Sequence, residues 1–167
     1  MRVLGIDCGS EYTGFGVVEQ AAGGKLVCHT QGAIKLASRT AMACKLEKIF
    51  VELKAIIAEH SPEIVAIEDV FYAVNVKSAL KLGQVRGVAM LAASSGGLEV
   101  AEYSPLSIKS AVVGYGRADK GQVQQMVMRL LGLALPPQPT DASDALAIAI
   151  CHIHTASTMN RYRAAAP

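Results

Sequence analysis

The sequence predicts an α/β fold in which a five-stranded mixed β-sheet is flanked by helices. Three short runs of apolar and alternating residues, separated by glycines, fill residues 2–34 and are typical of an antiparallel meander. From residue 39 onwards, segments with helical spacing of apolar residues alternate with two more short apolar runs. A meander that leads into alternating helices and strands produces a sheet with both antiparallel and parallel neighbours.

The meander consists of strands predicted at residues 2–7, 13–20 and 25–34. The first, RVLGID, is a short apolar run that ends in an acid, as a buried strand does. The second and third, TGFGVVEQ and KLVCHTQGAI, alternate in polarity and contain β-branched residues, which favour strands. Residues 2–34 are therefore expected to supply three of the five strands.

The rest of the chain is predicted to alternate between helices and strands. Asp119 and Gln122 resemble a capping box at the start of one helix, and three prolines between residues 136 and 139 form a stiff linker before the last helix. This order of elements is that of the ribonuclease H-like fold. Helices are predicted at 39–59, 76–94, 105–113, 120–131 and 141–157, and strands at 63–69 and 98–103.

Composition and charge indicate a globular protein. Apolar residues make up 51% of the 167 residues and charged residues 18%, and the net charge of +2 is compatible with nucleic-acid binding. We expect one domain at residues 1–158 and a flexible tail at 159–167. No secretory signal or membrane-spanning run is recognised, so a cytoplasmic protein is expected. Its cysteines lack CxxC spacing and are expected to be reduced: Cys8, Cys28, Cys44 and Cys151.

Acidic residues stand at the ends of three apolar elements. Asp7 ends the first strand, Glu68 ends the strand after the long helix, and Asp141 and Asp144 open the last helix. In a mixed sheet the two strand ends can be neighbours with the helix packed over them, so the four carboxylates are expected to converge. Carboxylates so close need cations, and oxygen ligands favour Mg²⁺ or Mn²⁺. Two such ions roughly 4 Å apart clamp a scissile phosphate, which predicts phosphodiester hydrolysis.

Each acid also has a purely structural interpretation. Asp141 as N-cap with Asp144 at position N3 approximates a capping box, and both acids complement the helix dipole. Asp7 suits a glycine-flanked turn, and Glu68 suits a surface-exposed strand end. Asp69 is expected to point away from Glu68, toward solvent or into a supporting role, because side chains alternate along a strand.

Five segments that span nearly the whole chain carry long motifs: GID-GS--TG-GVVE (5–19), AIE-VF-A-N--SALKLGQ-RG (66–87), EY (102–103), K-AVVG-G-ADK-QVQ-MV (109–127) and DASDALAIAI-H-H (141–154). These motifs resemble the RuvC family of bacterial Holliday-junction resolvases. The resemblance implies a ribonuclease H-like fold and a structure-specific endonuclease of DNA recombination and repair. Such enzymes act as homodimers and make paired symmetric nicks in four-way junctions, leaving ligatable ends.

The resemblance also implies site residues, a cofactor and partners. The catalytic and metal-binding carboxylates of the family fall on Asp7, Glu68, Asp141 and Asp144. Two Mg²⁺ ions per active site are implied, for which Mn²⁺ would substitute. The branch-migration proteins RuvA and RuvB are implied as partners, and the location is then at the nucleoid.

A DNA-binding surface is expected beside the acids. In the family, an aromatic residue at the position of Phe71 stacks near the scissile step; the structural alternative is that Phe71 and Tyr72 fold onto the core. Tyr72 departs from the family pattern, and no role is assigned to it. Lys109 and Lys120 match family lysines that face the DNA and the scissile phosphate. Further phosphate contacts, each otherwise a solvated surface charge, are expected from Lys77, Lys81, Arg86 and Arg117.

Two departures from the family and one extra motif need an interpretation. Cys8 stands where proline is usual, and Glu11 where a basic or neutral residue is common; both are expected to affect affinity rather than chemistry. The segment CHIH (151–154) suggests zinc, but no second ligand pair has suitable spacing. A core cysteine with hydrogen-bonded or exposed histidines is therefore favoured.

Three questions stay open on the sequence alone. The apolar face of the helix at 76–94 is either core or a twofold interface. The segment at 5–19 also resembles the phosphate-binding hairpin of actin-like ATPases and sugar kinases, although those proteins need two such domains. A junction-binding scaffold without catalysis is the third alternative, and the four intact acids argue against it.

Overall fold

The computed structural model describes residues 1–69 and 75–165. Its centre is a five-stranded sheet in the order β3-β2-β1-β4-β5, in which β1, β2 and β3 are antiparallel neighbours and β4 and β5 run parallel to β1. The predicted mixed sheet flanked by helices is confirmed. The strands are β1 (Arg2–Asp7), β2 (Tyr12–Gln20), β3 (Leu26–Lys35), β4 (Ile64–Glu68) and β5 (Glu99–Tyr103). The helices are α1 (Met42–His60), α2 (Val76–Ser95), α3 (Pro105–Val113), α4 (Lys120–Leu131) and α5 (Thr140–Ala165).

Both faces of the sheet are covered by helices, because the side chains of each central strand alternate between two apolar clusters. Val3 and Ala66 face the cluster built with α3, α4 and α5. Leu4 and Ile67 face the cluster built with α1 and α2. All four side chains are fully buried. The alternation therefore determines which face each later residue of the same strand points to.

Helix α5 packs unusually close to the sheet because glycines replace side chains beneath it. A methyl group on Gly5 of β1 would overlap the carbonyl oxygen of Ala145 and lie 2.8 Å from the amide nitrogen of Ala149. A methyl group on Gly16 of β2 would lie 2.6 Å from a Leu146 methyl carbon. The backbone of α5 therefore occupies the space that side chains fill elsewhere on this face.

The ends of α4 and α5 test two predictions about capping. At α4 the predicted capping box is confirmed: Gln122 N–H donates to Asp119 Oδ1, and the Asp119 N–H donates to Gln122 Oε1, both at 2.9 Å. At α5 the predicted N-cap was wrong. The helix already begins at Thr140, so Asp141 lies in its first turn. The Ala142 N–H donates to the Pro139 carbonyl at 3.0 Å.

The far end of α5 corrects a second prediction. The helix continues to Ala165, past the predicted end at residue 157, so residues 159–165 are helical where a flexible tail was expected. The arginines and small residues of this segment are compatible with a helix even where it leaves the core. Within residues 1–69 and 75–165, no helix combines the length and apolar character needed to cross a membrane.

Replacing Gly5 by alanine tests the close approach of α5. Gly5→Ala should lower the free energy of unfolding by at least about 2 kcal/mol, because the new methyl group meets helix backbone that cannot rotate away. Chemical denaturation monitored by circular dichroism measures the change.

Gly116→Ala is the matched control, since its methyl group would overlap Leu106 as strongly but meets the end of an exposed, flexible side chain. The control should stay within about 0.5 kcal/mol of the original chain. Equal losses in the two variants would mean that the space beneath α5 is not the constraint.

Candidate active site

The ends of β1 and β4 bring two acids to the same face of the sheet. The two strands are parallel neighbours, with Gly5 paired to Ala66 and Ile6 to Ile67. One residue further along each strand come Asp7 and Glu68. By alternation both point to the α5 face, and both are half-buried.

The N-terminal part of α5 brings two more acids near these strand ends, with Asp141 in its first turn. Asp7 pairs with Gly14 of β2, and a methyl group on Gly14 would overlap the Asp141 carbonyl oxygen. Asp141 therefore lies directly over the residue beside Asp7. Asp144 lies one helical turn later, and its carboxylate borders the same cleft as those of Asp7 and Glu68. Asp7, Glu68 and Asp144 thus border one cleft. Asp141 does not line that cleft, although its charge acts on Asp7.

A cleft of about 320 Å³ lies between these acids and the two helices α3 and α4. Lys109 of α3 and Lys120 of α4 line it together with the acids. Lys120 Nζ lies 2.7 Å from Asp144 Oδ2, so its ammonium group already neutralises one carboxylate. The apolar floor comes from Ile108, Val123, Ala147 and Ile148.

Crowding of negative charge raises the pKa values of the carboxyl groups. Burial, and then the charges of Asp144, Glu68 and Asp141, raise the pKa of Asp7 from 3.8 to about 7. Burial and the charge of Asp144 raise the pKa of Glu68. The hydrogen bond to Asp144 raises the pKa of Lys120, which keeps that ammonium charged. Asp7 is therefore partly protonated at neutral pH when no cation is present.

The donor set fits hard divalent cations. All four candidate ligands are carboxylates, and their mutual repulsion is the kind that Mg²⁺ relieves. Within residues 1–69 and 75–165, however, no three or more His, Cys, Asp or Glu side chains are gathered tightly enough to hold a metal ion as they stand. Part of the reason is visible at Asp144, whose carboxylate is bonded to Lys120.

The other basic residues predicted to contact DNA divide into two groups. Lys77, Lys81 and Arg117 are exposed. Arg86 is only 21% exposed, and its guanidinium forms ion pairs with Asp69 and Glu102 on the α1 and α2 side of the sheet. Phe71 and Tyr72, with the predicted stacking role at Phe71, lie outside the described residues.

Asp69 and the CHIH segment agree with their sequence-based interpretations. Asp69 points away from the cleft and pairs with Arg86, as expected from alternation along β4. Cys151 is buried, His152 Nδ1 lies 2.8 Å from the Tyr103 hydroxyl, and His154 Nδ1 lies 2.9 Å from the Ala111 carbonyl oxygen. The structural interpretation of CHIH is confirmed.

Sequence reasoning missed two features of the site. Gly14 was taken only as punctuation of the strands, and Gly5 and Gly16 were given no role. Gly14 and Gly16 are two residues apart on β2, and Gly16 pairs with Gly5 of β1, so the three glycines mark one face of the sheet for close helix packing. The pairing of Arg86 with Glu102 had no local signal, because the two residues lie on different elements.

Comparison with known proteins gives one consistent result. The family model described as "Crossover junction endodeoxyribonuclease RuvC" matches residues 3–152. The protein of that name from Koribacter versatilis is 63% identical over 166 residues, which cover 99% of this chain and 100% of the relative. A second relative of that name, from Acidobacterium capsulatum, is 54% identical and covers 95% of this chain and 96% of its own length.

Solved structures agree with the sequence relatives. The structure of Thermus thermophilus RuvC matches with a TM-score of 0.86, and that of the same protein in complex with a Holliday junction substrate with 0.90. Each match has 32% identity and covers 95% of this chain and 96% of the other. The fold and the acid-lined cleft thus define a ribonuclease H-like nuclease. The chain belongs to the RuvC family of crossover junction endodeoxyribonucleases.

The raised pKa of Asp7 predicts a pH dependence of stability. In the unfolded chain the carboxyl group releases its proton near pH 3.8, whereas the folded chain holds it until about pH 7. The folded state therefore binds more protons across this window, and stability falls as pH rises from about 4 to 7. In metal-free buffer, Asp7→Asn should flatten this fall and be more stable than the original chain at pH 8 by at least about 1 kcal/mol.

Denaturation curves in chelating buffer at a series of pH values measure this difference. Glu68 contributes a fall of the same sign, so the informative quantity is the difference between variant and original chain. If the stability of Asp7→Asn and that of the original chain changed in parallel between pH 4 and 8, the charge crowding around Asp7 would be contradicted.

Proposed function

We propose that this chain resolves four-way DNA junctions as a homodimer, by paired symmetric nicks that leave ligatable ends and depend on two Mg²⁺ ions per active site. The observation that carries the proposal is the cleft in which Asp7, Glu68 and Asp144 meet Lys109 and Lys120. Membership of the RuvC family supplies the substrate class, since a relative with 32% identity is described in complex with a Holliday junction substrate.

The four carboxylates Asp7, Glu68, Asp141 and Asp144 are the proposed metal ligands and catalytic residues. Two bound Mg²⁺ ions would activate water and stabilise the leaving oxygen of the scissile phosphate, and Mn²⁺ would substitute. The backbone N–H groups of the first turn of α5 hold negative charge favourably, which orients Asp141 and Asp144 toward the strand ends.

Lys109 and Lys120 are proposed to hold the scissile phosphate beside the acids. Both ammonium groups border the cleft, and Lys120 is exposed enough to leave Asp144 for a DNA phosphate. This change of partner is favourable when a metal cation binds the carboxylates. The cation then neutralises Asp144, and Lys120 neutralises the phosphate. Lys120 would then neutralise Asp144 in the empty protein and the phosphate in the complex.

The exposed basic residues and Phe71 are proposed to guide the DNA. Lys77 and Lys81 lie on α2, and Arg117 lies in the turn before α4. Their charges would add salt-dependent affinity for phosphates without choosing a sequence. Phe71 keeps its proposed stacking role through the family pattern alone.

Helix α2 is the proposed surface for pairing two subunits. Val85 and Ala89 are buried, which assigns one side of the helix to the core. Val76, Leu80 and Leu91 are 73%, 65% and 57% exposed. These three lie at helical spacing with Gly83 and Gly87 between them, and a methyl group on either glycine would meet open space. This flat apolar stripe suits a twofold contact. RuvA and RuvB as partners are supported by family membership only.

The alternative functions differ in how well the observations support them. Family membership leaves no support for an actin-like ATPase or sugar kinase. A junction-binding protein without cleavage would retain the basic surface but not need the acids. The cleavage assay below separates that alternative from the proposal.

Neutralising single acids tests the proposed chemistry. On a synthetic four-way junction with Mg²⁺, Asp7→Asn and Asp144→Asn should each reduce the cleavage rate by at least about 100-fold, because each removes negative charge that holds a cation at the reacting phosphate. Gel assays measure cleavage, and metal-free gel shifts measure junction binding.

The control is Glu99→Gln, which removes an exposed acid at the start of β5, the opposite end of the sheet. It should cut like the original chain. Junction binding without any cleavage by the original chain would favour the scaffold alternative, and normal cleavage by either aspartate variant would remove that residue from the catalytic set.

Neutralising Lys120 should slow DNA cleavage but tighten the binding of Mg²⁺. Lys120→Gln should slow cleavage by about 100-fold, because the phosphate loses its cation. It should also tighten Mg²⁺ binding without DNA, because the ammonium group no longer competes for Asp144. Single-turnover cleavage and calorimetric Mg²⁺ titration measure the two effects. Lys25→Gln, an exposed lysine in the β2–β3 turn, should change neither quantity. Weaker Mg²⁺ binding by Lys120→Gln would refute the competition.

A further inference from the structure

Arg86 of α2 joins two strand ends on the side of the sheet away from the cleft. One guanidinium nitrogen, Nη2, donates to Asp69 Oδ1 at 3.3 Å and to Glu102 Oε2. Asp69 directly follows Glu68, the last residue of β4, and Glu102 is the penultimate residue of β5. The guanidinium of Arg86 therefore contacts the ends of both strands, next to the point where Glu68 of β4 borders the cleft.

The two acids need this cation because of their place in the sheet. Glu102 pairs with Ile67, so Asp69 and Glu102 lie on the same face of adjacent strands, two residues apart along the ladder. Carboxylates in such diagonal positions repel one another when nothing lies between them. The side chain of Arg86 is only 21% exposed, so its ion pairs are less screened by solvent than surface pairs are.

The backbone at the same point is closed by one short hydrogen bond. The Asp69 N–H donates to the Tyr103 carbonyl at 2.7 Å, one residue beyond the pairing of Glu68 with Tyr103. Among the described residues, this bond is the last link between the ends of β4 and β5. Forces that push Asp69 and Glu102 apart act on this link directly.

We propose that Arg86 is a positioning residue for the candidate active site: its ion pairs with Asp69 and Glu102 fix the ends of β4 and β5 and thereby hold the Glu68 carboxylate in place for metal binding. The proposal rests on the proposed function of Glu68 as a metal ligand. It replaces the expectation that Arg86 contacts DNA phosphates.

Arginine suits this task better than lysine would. The two N–H groups on Nη2 are fixed in the guanidinium plane, so this one nitrogen can donate to both carboxylates at once. An ammonium group on a flexible stem holds one carboxylate well and the second poorly. The arrangement on α2 therefore predicts that Arg86→Lys repairs the defect of Arg86→Gln only in part.

The test compares Arg86→Gln, Arg86→Lys and Glu102→Gln with the original chain, and uses Lys25→Gln as a control that removes a positive charge from an exposed turn away from the candidate site. Three quantities are measured: the Mg²⁺ dissociation constant by calorimetry without DNA, the junction affinity and its salt dependence without metal, and the exchange rate of the Asp69 amide hydrogen. Circular dichroism establishes the temperature at which every variant is folded.

If Arg86 is a positioning residue, the loss of its positive charge and the loss of the negative charge of Glu102 should change Mg²⁺ binding in the same direction. Arg86→Gln and Glu102→Gln should each weaken Mg²⁺ binding by about tenfold, as the loss of an outer partner of a ligand does. Both should accelerate exchange of the Asp69 amide, because the bond to Tyr103 is loosened. Junction affinity without metal should stay within about twofold for Arg86→Gln, since no phosphate contact is lost. Lys25→Gln should leave Mg²⁺ binding, Asp69 exchange and junction affinity unchanged.

A DNA contact predicts a different pattern and would overturn the proposal. Arg86→Gln would then weaken junction binding and reduce the salt slope by about 1, with Mg²⁺ binding and Asp69 exchange unaffected. If Arg86→Gln fails to fold, Glu102→Gln alone decides the matter, because its acid is largely exposed: unchanged Mg²⁺ binding and unchanged Asp69 exchange would overturn the proposal. The exchange measurement needs neither metal nor cleavage, so a failure of the proposed function, seen as no cleavage by the original chain, is recognised separately.

Discussion

The close approach of α5 to the centre of the sheet is the constraint on which the rest of the structure depends. Gly5 on β1 and Gly14 and Gly16 on β2 present no side chains where Asp141, Ala145, Leu146 and Ala149 of the helix cross them. The helix backbone therefore rests almost directly on the strands, and the fully buried Leu146 and Ile150 complete the contact. With ordinary side chains at these glycines, α5 would be lifted from the sheet and its first turn would leave the ends of β1 and β4.

This placement explains why capping and chemistry are compatible at the start of α5. A carboxylate in the first turn is stabilised by free backbone N–H groups and by the helix dipole. That stabilisation offsets part of the repulsion that arises when Asp141 and Asp144 come close to Asp7. The rest of the repulsion remains, and it raises the pKa of Asp7 to about 7. A protein that kept these acids only for stability would gain from losing Asp7, so the crowding favours a function that uses the charge.

Local patterns predicted most of the fold and placed the four acids near the ends of two strands and the start of the last helix, but they did not predict the contacts between distant elements. Strand β1 and helices α3 and α4 were predicted with the limits that the structure shows, because apolar periodicity and capping residues lie within each element. The convergence of Asp7 with Glu68 was predictable because a parallel strand pair aligns its carboxyl ends. The extension of α5 to Ala165 was missed because a polar, weakly amphipathic segment has no core-facing period to reveal it. The partners of Arg86 depend on where α2 crosses the sheet, which no pattern within α2 specifies.

At the edge of the sheet where β4 ends, the two faces differ in their balance of charge. On the α5 face, Glu68 belongs to a crowded group of like charges that needs a cation. On the other face, Asp69 belongs to a balanced group in which Arg86 supplies the cation from within the chain. Successive residues of one strand thus meet opposite electrostatic conditions, and the balanced side can hold the backbone firm while the unbalanced side stays available to ligands.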